Sequence, residues 1–486
     1  MIKTMKQKAV SGMFWTALQR YSTIGIQFVS GIILARLLTP YDYGCIGMLS
    51  IFMVVAEAFI DGGFGSALIQ KKNPTQIDYS TIFFWNIGMA VVMYVVLFFT
   101  APAISRFYNI PILCPVLRVE GIILFIYAFN VIQRNQLRKT LNFKVLSIVT
   151  IVTSLTALVI TIIMAYKGFG VWALVTQHII TAAIPAVVFW FFIKWRPIWA
   201  FSWRSFRELF GFGFYMFLTH LLNSFSSKIQ GLFIGRVYNA STMGYYSKAE
   251  ATERLASTSI SQVMTQVTYP LYSEVQENKE RLGNMIKRLT MTLAFVTFPL
   301  LFILLLCAKP LFLILYSDRW LNSVPYFQVL CVAGLAGCLQ AVNLQAISAI
   351  GKSRTMFIWT VIKRFFGISC IIVGLYLFGM RGLLVGVVLN YWFSYFVNIC
   401  LVSKHIGYHW VQQIKDLAPV AVSSTLIALV SFGIGYMLNL NMYLDGFVKM
   451  LTYLLFYIGW VLLFKPDAYR YFLSLIPKNK FFNKQV

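Results

Sequence analysis

The sequence predicts an all-α polytopic membrane protein of about fourteen transmembrane helices, two six-helix lobes followed by two further helices. Hydrophobic residues make up 59% of the 486-residue chain and charged residues 12%, a charged share well below that of soluble domains. Apolar runs of about 20 residues, each able to cross a hydrocarbon core of about 30 Å as a helix, recur along the whole chain. A polar junction between two such runs also returns after 200 residues.

Taken in order, the first span starts near Phe14; Gln19 and Arg20 interrupt it and no small-residue cleavage site follows, so it reads as a retained helix. The second, near Tyr43, carries Glu57 and Asp61 before a GGFG stretch, and the third starts near Thr81. The fourth, near Pro115, carries Arg118 and Glu120, which read first as anchors at a span end; the fifth starts near Val145, and the sixth, near Phe169, holds His178. Residues 195–208, rich in Trp and Arg, read as an amphipathic connector on the inner leaflet. The seventh span, near Leu209, carries His220, Asn223 and Lys228. The eighth, near Met243, is the least apolar and carries Lys248, Glu250, Glu253, Arg254, Gln262 and Gln266. The remaining spans start near Met291, Pro325, Thr355, Gly382, Leu417 and Gly446, and the eleventh contains Lys363 and Arg364. The expected organisation is therefore an N-terminal lobe over 1–194, the connector, a C-terminal lobe over 209–404, and spans thirteen and fourteen with a basic tail over 405–486.

A net charge of +26 could signal nucleic acid, but the basic residues are scattered through short connections and form no nucleic-acid module. The positive-inside rule accounts for them. With the N-terminus cytoplasmic, Lys71, Lys72, Arg134, Arg138, Lys139, Lys194, Arg196, Lys287, Lys352 and the tail lysines fall inside, while the opposite loops hold few basic residues, Arg36 and Arg236 among them. Both termini are then cytoplasmic. The seven cysteines lie in or beside apolar spans without a CxxC pair, and the four histidines show no metal-ligand spacing. No Walker A sequence or hydrolase elbow is present, so neither ATP-driven transport within the chain nor an enzyme is expected.

The repeated junction is "LARLLTPYDYG" at 34–44 and "FIGRVYNASTMG" at 233–244, which aligns Arg36 with Arg236 and Gly44 with Gly244. Six intervening spans give both copies the same direction, a transporter arrangement with the substrate path between parallel halves. Arg36 and Arg236 read either as interfacial anchors or as external gate contacts. Ionisable residues within spans are costly and mark pathways. Arg20, His220 and Lys228 lack an obvious local acidic partner and are candidates for contacting an anion. Glu57, Asp61, Lys248, Glu250, Glu253 and Arg254 are candidates for a cavity network or for ion coupling. Gln19, Gln27, Asn223, Gln262 and Gln266 are further polar residues within the same spans.

The stretches "ILARLLTPYDYGCIGMLSIFMVVAEAFIDGGFGSALIQKKN" (33–73), "IGRVYNASTMGYYSKAEATERLASTSISQVMTQVTYPLYSEVQEN" (234–278) and "FPLLFILLLCAKPLFLILYSDRW" (298–320) resemble bacterial polysaccharide transporters, the Wzx-type flippases of the MOP superfamily. The resemblance implies a MATE-like fold, alternating access, and an undecaprenyl-pyrophosphate-linked oligosaccharide turned across the inner membrane for capsule, O-antigen or exopolysaccharide assembly. It implies a cationic cavity, an expectation carried onto Arg20, His220 and Lys228, sugar contacts from polar residues such as Gln19, Gln27, Asn223, Gln262 and Gln266, no cofactor, and coupling to protons or sodium as an open option. The implied partners are the lipid-linked substrate, the bilayer, and the polymerase and glycosyltransferases of the same pathway. Two other readings stay open here: a MATE-like drug or cation exporter, and a polytopic membrane glycosyltransferase or polymerase.

Overall fold

The structure, a computed structural model, describes residues 5–475 except 72 and 141. All regular structure among the described residues is helical. Helix α1 (Met5–Leu37) turns at Thr39 into α2 (Pro40–Asp61). The turn is a capping box: the Thr39 hydroxyl accepts from the Asp42 N–H, the Asp42 carboxylate accepts from the Thr39 N–H at 2.9 Å, and Pro40 presets the first helical residue. Helix α2 stops at Gly62 (φ 53°), and the short α3 (Phe64–Gln70) follows Gly63 (φ 74°). A second capping box, Thr75 with Asp78, opens α4 (Gln76–Tyr108). Helices α5 (Leu113–Glu120) and α6 (Ile122–Lys139) together make the fourth expected span, and α7 (Phe143–Tyr166) and α8 (Val171–Phe192) complete six.

The connector is extended from 193 to 202 and gives way to α9 (Trp203–Val237). It is tied to the start of α4: Ile198 N–H donates to Ser80 Oγ at 3.0 Å and Ser202 N–H to Thr81 Oγ1 at 3.1 Å. Lys71, between α3 and α4, reaches Asp78 at 3.0 Å and Glu208 at 3.1 Å. Partial burial pulls its pKa down, but the two carboxylates outweigh that and leave it raised. Trp199 is 95% exposed, as an interfacial anchor would be.

Helix α10 (Ala240–Val275) is capped by Asn239, whose Oδ1 accepts from the Thr242 N–H at 2.8 Å. Asn239 stands 200 residues after Thr39, so the repeat read from the sequence extends to the cap itself. The rest of the chain forms α11 (Lys279–Leu306), α12 (Ala308–Tyr316), a 3-10 turn (Asp318–Ser323), α13 (Val324–Ala349), α14 (Ser353–Ile406), α15 (Trp410–Leu438), α16 (Met442–Phe464) and α17 (Asp467–Leu475). Helix α14 is two spans joined at Gly379 (φ 59°, ψ −140°). Its halves approach so closely that a Cβ on Gly374 or Gly382 would meet the other's backbone carbonyl, the small-residue packing that replaces hydrophobic drive inside lipid.

Among the described residues, ten segments are long and apolar enough to cross a membrane, one of them the broken α14. Helices α1, α9 and α10, at 33, 35 and 36 residues, have the length and carry the polar residues singled out above. By packing, the chain forms two compact units, Met1–Ser247 and Lys248–Val486. In the first, α1 lies on α7, α4 and α8 on α6, and α9 on α2 and α3. In the second, α11 meets α13, α15 and α17, while α13 lies on α14 and α15 on α16. The packing division therefore differs from the repeat division at 195–208: α9 is the counterpart of α1 in sequence and packs with the first unit.

Candidate functional site

The first unit contains two adjoining cavities of about 340 and about 330 Å³. Four helices build the larger, α3 through Gly65. Helix α2 contributes Glu57 and Asp61 one turn apart, α9 contributes His220 and Ser224 one turn apart, and α6 contributes Tyr127, Asn130, Arg134, Asn135 and Arg138. The α6 residues fall at three- and four-residue spacing and so share one helix face. The second cavity shares Glu57, Tyr127, Asn130 and Arg134, and adds Ser50, Glu120, His178 and Thr181.

Glycines set the walls. Gly63 lies against the backbone of Gly213 on α9, where a Cβ would meet the Gly213 carbonyl. Its left-handed φ also disfavours any side chain. Gly65 leaves room for Asp61 and Asn135, since a Cβ there would stand 2.9 Å from Asp61 Oδ1 and 3.2 Å from Asn135 Nδ2. The GGFG stretch after α2 thus brings α9 close and seats a carboxylate, as the close-approach reading of those glycines expects.

The charges are mixed. Glu120 is 4% exposed, and its Oε1 lies 2.8 Å from His178 Nδ1. Glu57 interacts electrostatically with His178, Glu120 and Arg134, and Asp61 with His220 and Arg138. On insertion scales a lone Arg or Asp at mid-membrane costs about 3 kcal/mol, so such groups persist where they face one another across a polar cavity. Four buried polar atoms on these walls, Glu120 Oε2, Asn130 Oδ1, Arg134 Nε and Asn135 Nδ2, have no hydrogen-bond partner among the described residues. Unmet donors and acceptors of this kind suit a polar guest.

The sequence-derived candidates divide. Glu57, Asp61 and His220 line the cavities. Arg20, Gln19, Gln27, Asn223 and Lys228 line neither. Gln19 instead takes a hydrogen bond from Ser147 of α7 at 3.3 Å, and the buried Nε of Arg20 has no partner. Arg134 and Arg138, assigned to a cytoplasmic connection by the positive-inside count, belong to the cavity. The helix of span four runs on past its apolar part, and the spacing of Asn130, Arg134 and Arg138 was the signal for it. Glu120, expected as an anchor, pairs with His178, and the Arg118 guanidinium lies 4.1 Å from the Phe98 ring centre.

In the second unit Lys248 is buried with its ammonium 4.1 Å from the Tyr316 ring centre and 5.7 Å from that of Trp320. Arg254 meets Glu250 at 3.5 Å. Glu253 is buried against α13, where Gly334 makes room for its carboxylate, and its Oε1 lacks a partner. The side chains of Gln262 and Gln266 lie outside the described residues.

The repeated junctions pack on each other within the first unit. A Cβ on Gly44 would overlap the Ala240 carbonyl, and one on Gly244 would overlap the Pro40 carbonyl. Each residue of one pair is the 200-residue counterpart of one in the other, so the crossing is reciprocal. Arg36 and Arg236 flank it, both exposed, with Arg236 5.1 Å from the Phe107 ring centre.

Residues 33–325 match the family model described as polysaccharide biosynthesis protein. The chain belongs to this family. Among its relatives, the lipopolysaccharide biosynthesis protein WzxC of Escherichia coli is 22% identical over 442 residues, 90% of this chain and 89% of that one. The succinoglycan biosynthesis transport protein ExoT of Rhizobium meliloti is 23% identical over 425 residues, 86% of this chain and 83% of that one. Of solved structures, the lipid II flippase MurJ in an inward closed conformation superposes with a TM-score of 0.73 at 14% identity, covering 93% of this chain and all of that one. An inward-facing MATE multidrug transporter superposes at 0.64 with 15% identity, covering 82% and 98%. The expected MATE-like fold of a multi-pass membrane protein is thereby established.

Proposed function

We propose that this family member turns an undecaprenyl-pyrophosphate-linked oligosaccharide across the bacterial inner membrane during surface polysaccharide assembly, with its anionic headgroup held in the cavities of the first unit. The observation that carries this reading is the pair Arg134 and Arg138, one turn apart on α6 and opening onto a polar cavity. Guanidinium groups hold phosphate through paired hydrogen bonds, and His220 lies on the same walls. Asn130, Asn135, Ser224, Ser50 and Thr181 offer hydrogen bonds to sugars, while the lipid tail stays in the bilayer. The names of WzxC, ExoT and MurJ support the substrate class, and transport rather than catalysis.

With both termini cytoplasmic, the Gly44/Gly244 crossing lies on the external side and acts as a gate that parts when the cavity turns outward. Arg36 and Arg236 brace it. Arg20, with its orphaned Nε, and Lys228 remain further cationic contacts along the path. Polymerase and glycosyltransferases of the pathway are the expected partners. Arg134→Gln/Arg138→Gln protein present in the membrane at normal level should leave lipid-linked oligosaccharide on the cytoplasmic face and stop surface glycan. Full export by this variant, or raised drug resistance with glycan unaffected by deletion, would overturn the assignment.

A further inference from the structure

The joined cavities hold three carboxylates, Glu57, Asp61 and Glu120, and two guanidinium groups, Arg134 and Arg138. The remaining titratable groups on the walls are two imidazoles, His178 and His220, and the Tyr127 phenol. With both imidazoles neutral the formal charge carries one negative excess; with both protonated it carries one positive excess. Imidazole is the side chain that ordinarily changes charge near neutral pH. We propose that His178 and His220 are a proton-operated charge switch, and that protonation of the two makes the cavity receptive to an anionic diphosphate. This rests on the headgroup reading above and adds the determinant of its affinity.

Geometry places each imidazole where its proton matters. The His178 ring is held at 2.8 Å by Glu120, which is itself 4% exposed, and the pair faces Glu57 from α2 and Arg134 from α6 across the cavity. His220 faces Asp61 and Arg138 across the larger cavity. From the other elements packed against these, Arg118 turns to the Phe98 ring and Tyr94 lies against Gly121. His178 therefore lies beside two carboxylates, Glu120 and Glu57, and His220 beside one, Asp61, and each has one guanidinium with which to share an anion. By linkage, a headgroup that binds more tightly to the protonated cavity must take up protons as it binds. Glu120 serves as a positioning residue, since its Oε1 holds Nδ1 of His178.

The test is calorimetric titration of inorganic pyrophosphate into the full chain in detergent micelles. Wild-type affinity should tighten about tenfold between about pH 8 and about pH 5.5. His220→Gln should lose about half of that effect on a logarithmic scale, and His178→Gln/His220→Gln should retain only the titration of pyrophosphate itself. Glu120→Gln removes one negative charge at every pH, so it should tighten binding at the alkaline end, a change that loss of structure alone would not produce. A double variant that keeps the wild-type pH profile, or a Glu120→Gln protein that binds more weakly at alkaline pH, would overturn the switch while leaving the headgroup site intact. Absence of pyrophosphate binding by wild type at every pH would overturn the headgroup site and the switch with it.

Discussion

Arg134 shows how position along a helix decides what a charge does. On α6 it is half-buried beside Glu57, Tyr127 and Asn130, where replacing guanidinium by an amide keeps a hydrogen-bonding group and removes the charge. Arg134→Gln alone should reduce glycan export by about tenfold or more, since one paired contact to phosphate is lost, measured as surface polysaccharide per unit of membrane protein. Lys248 should behave differently, because its ammonium sits over two aromatic rings. Tyr316→Leu should lower stability by about 1–2 kcal/mol through loss of that cation–π contact, read as a shift in thermal unfolding. Counting basic residues by loop hid Arg134 and Arg138 in a cytoplasmic segment, and it could not show that Glu120 meets His178, since that pairing joins residues 58 apart in the chain.

Between helices, backbone proximity decides. Gly63 combines a left-handed φ with contact to the Gly213 backbone, so Gly63→Ala should destabilise the first unit by about 1–3 kcal/mol, seen as lower detergent-solubilised melting. The gate crossing makes a sharper case. Gly44→Val and Gly244→Val each drive a side chain into the facing carbonyl, and the two contacts belong to one interface, so the double variant should be little worse than either single variant. Cysteines introduced at the exposed Tyr41 and the half-buried Ser241 should cross-link less in each Gly variant than in wild type. The sequence showed the matching junctions at an offset of 200 residues, and the structure added the caps Thr39 and Asn239 to the match. The sequence did not show that the two junctions touch, because a repeat fixes correspondence and leaves contact to the packing.

For the molecule as a whole, the prediction concerns topology. A count of fourteen spans would place both termini on one side of the membrane, and the positive-inside rule expects that side to be cytoplasmic. Alkaline phosphatase fused after residue 475 should be inactive, and a fluorescent protein at the same place should fold and fluoresce. Active phosphatase there would require either an odd span count or an inverted topology, and the second would place the Gly44/Gly244 crossing on the cytoplasmic side. The packing boundary at Ser247 also means that a chain cut at the connector would separate α9 from α2 and α3, its neighbours in the first unit.

The sequence by itself determined that the chain is helical and crosses a membrane many times, because the apolar length needed for each crossing is a local property. It also determined the repeat, the helix caps and the family, all of which are carried by short stretches in order. Only the tertiary structure decided which charges share a cavity. A side chain's partner there depends on helix rotation and on the distance of close approach, and both are set where glycines such as Gly63 and Gly65 let backbones meet. For that reason Glu57, Asp61 and His220 lie with Arg134, Arg138, Glu120 and His178 around one polar space, and Arg20 and Lys228 do not line it.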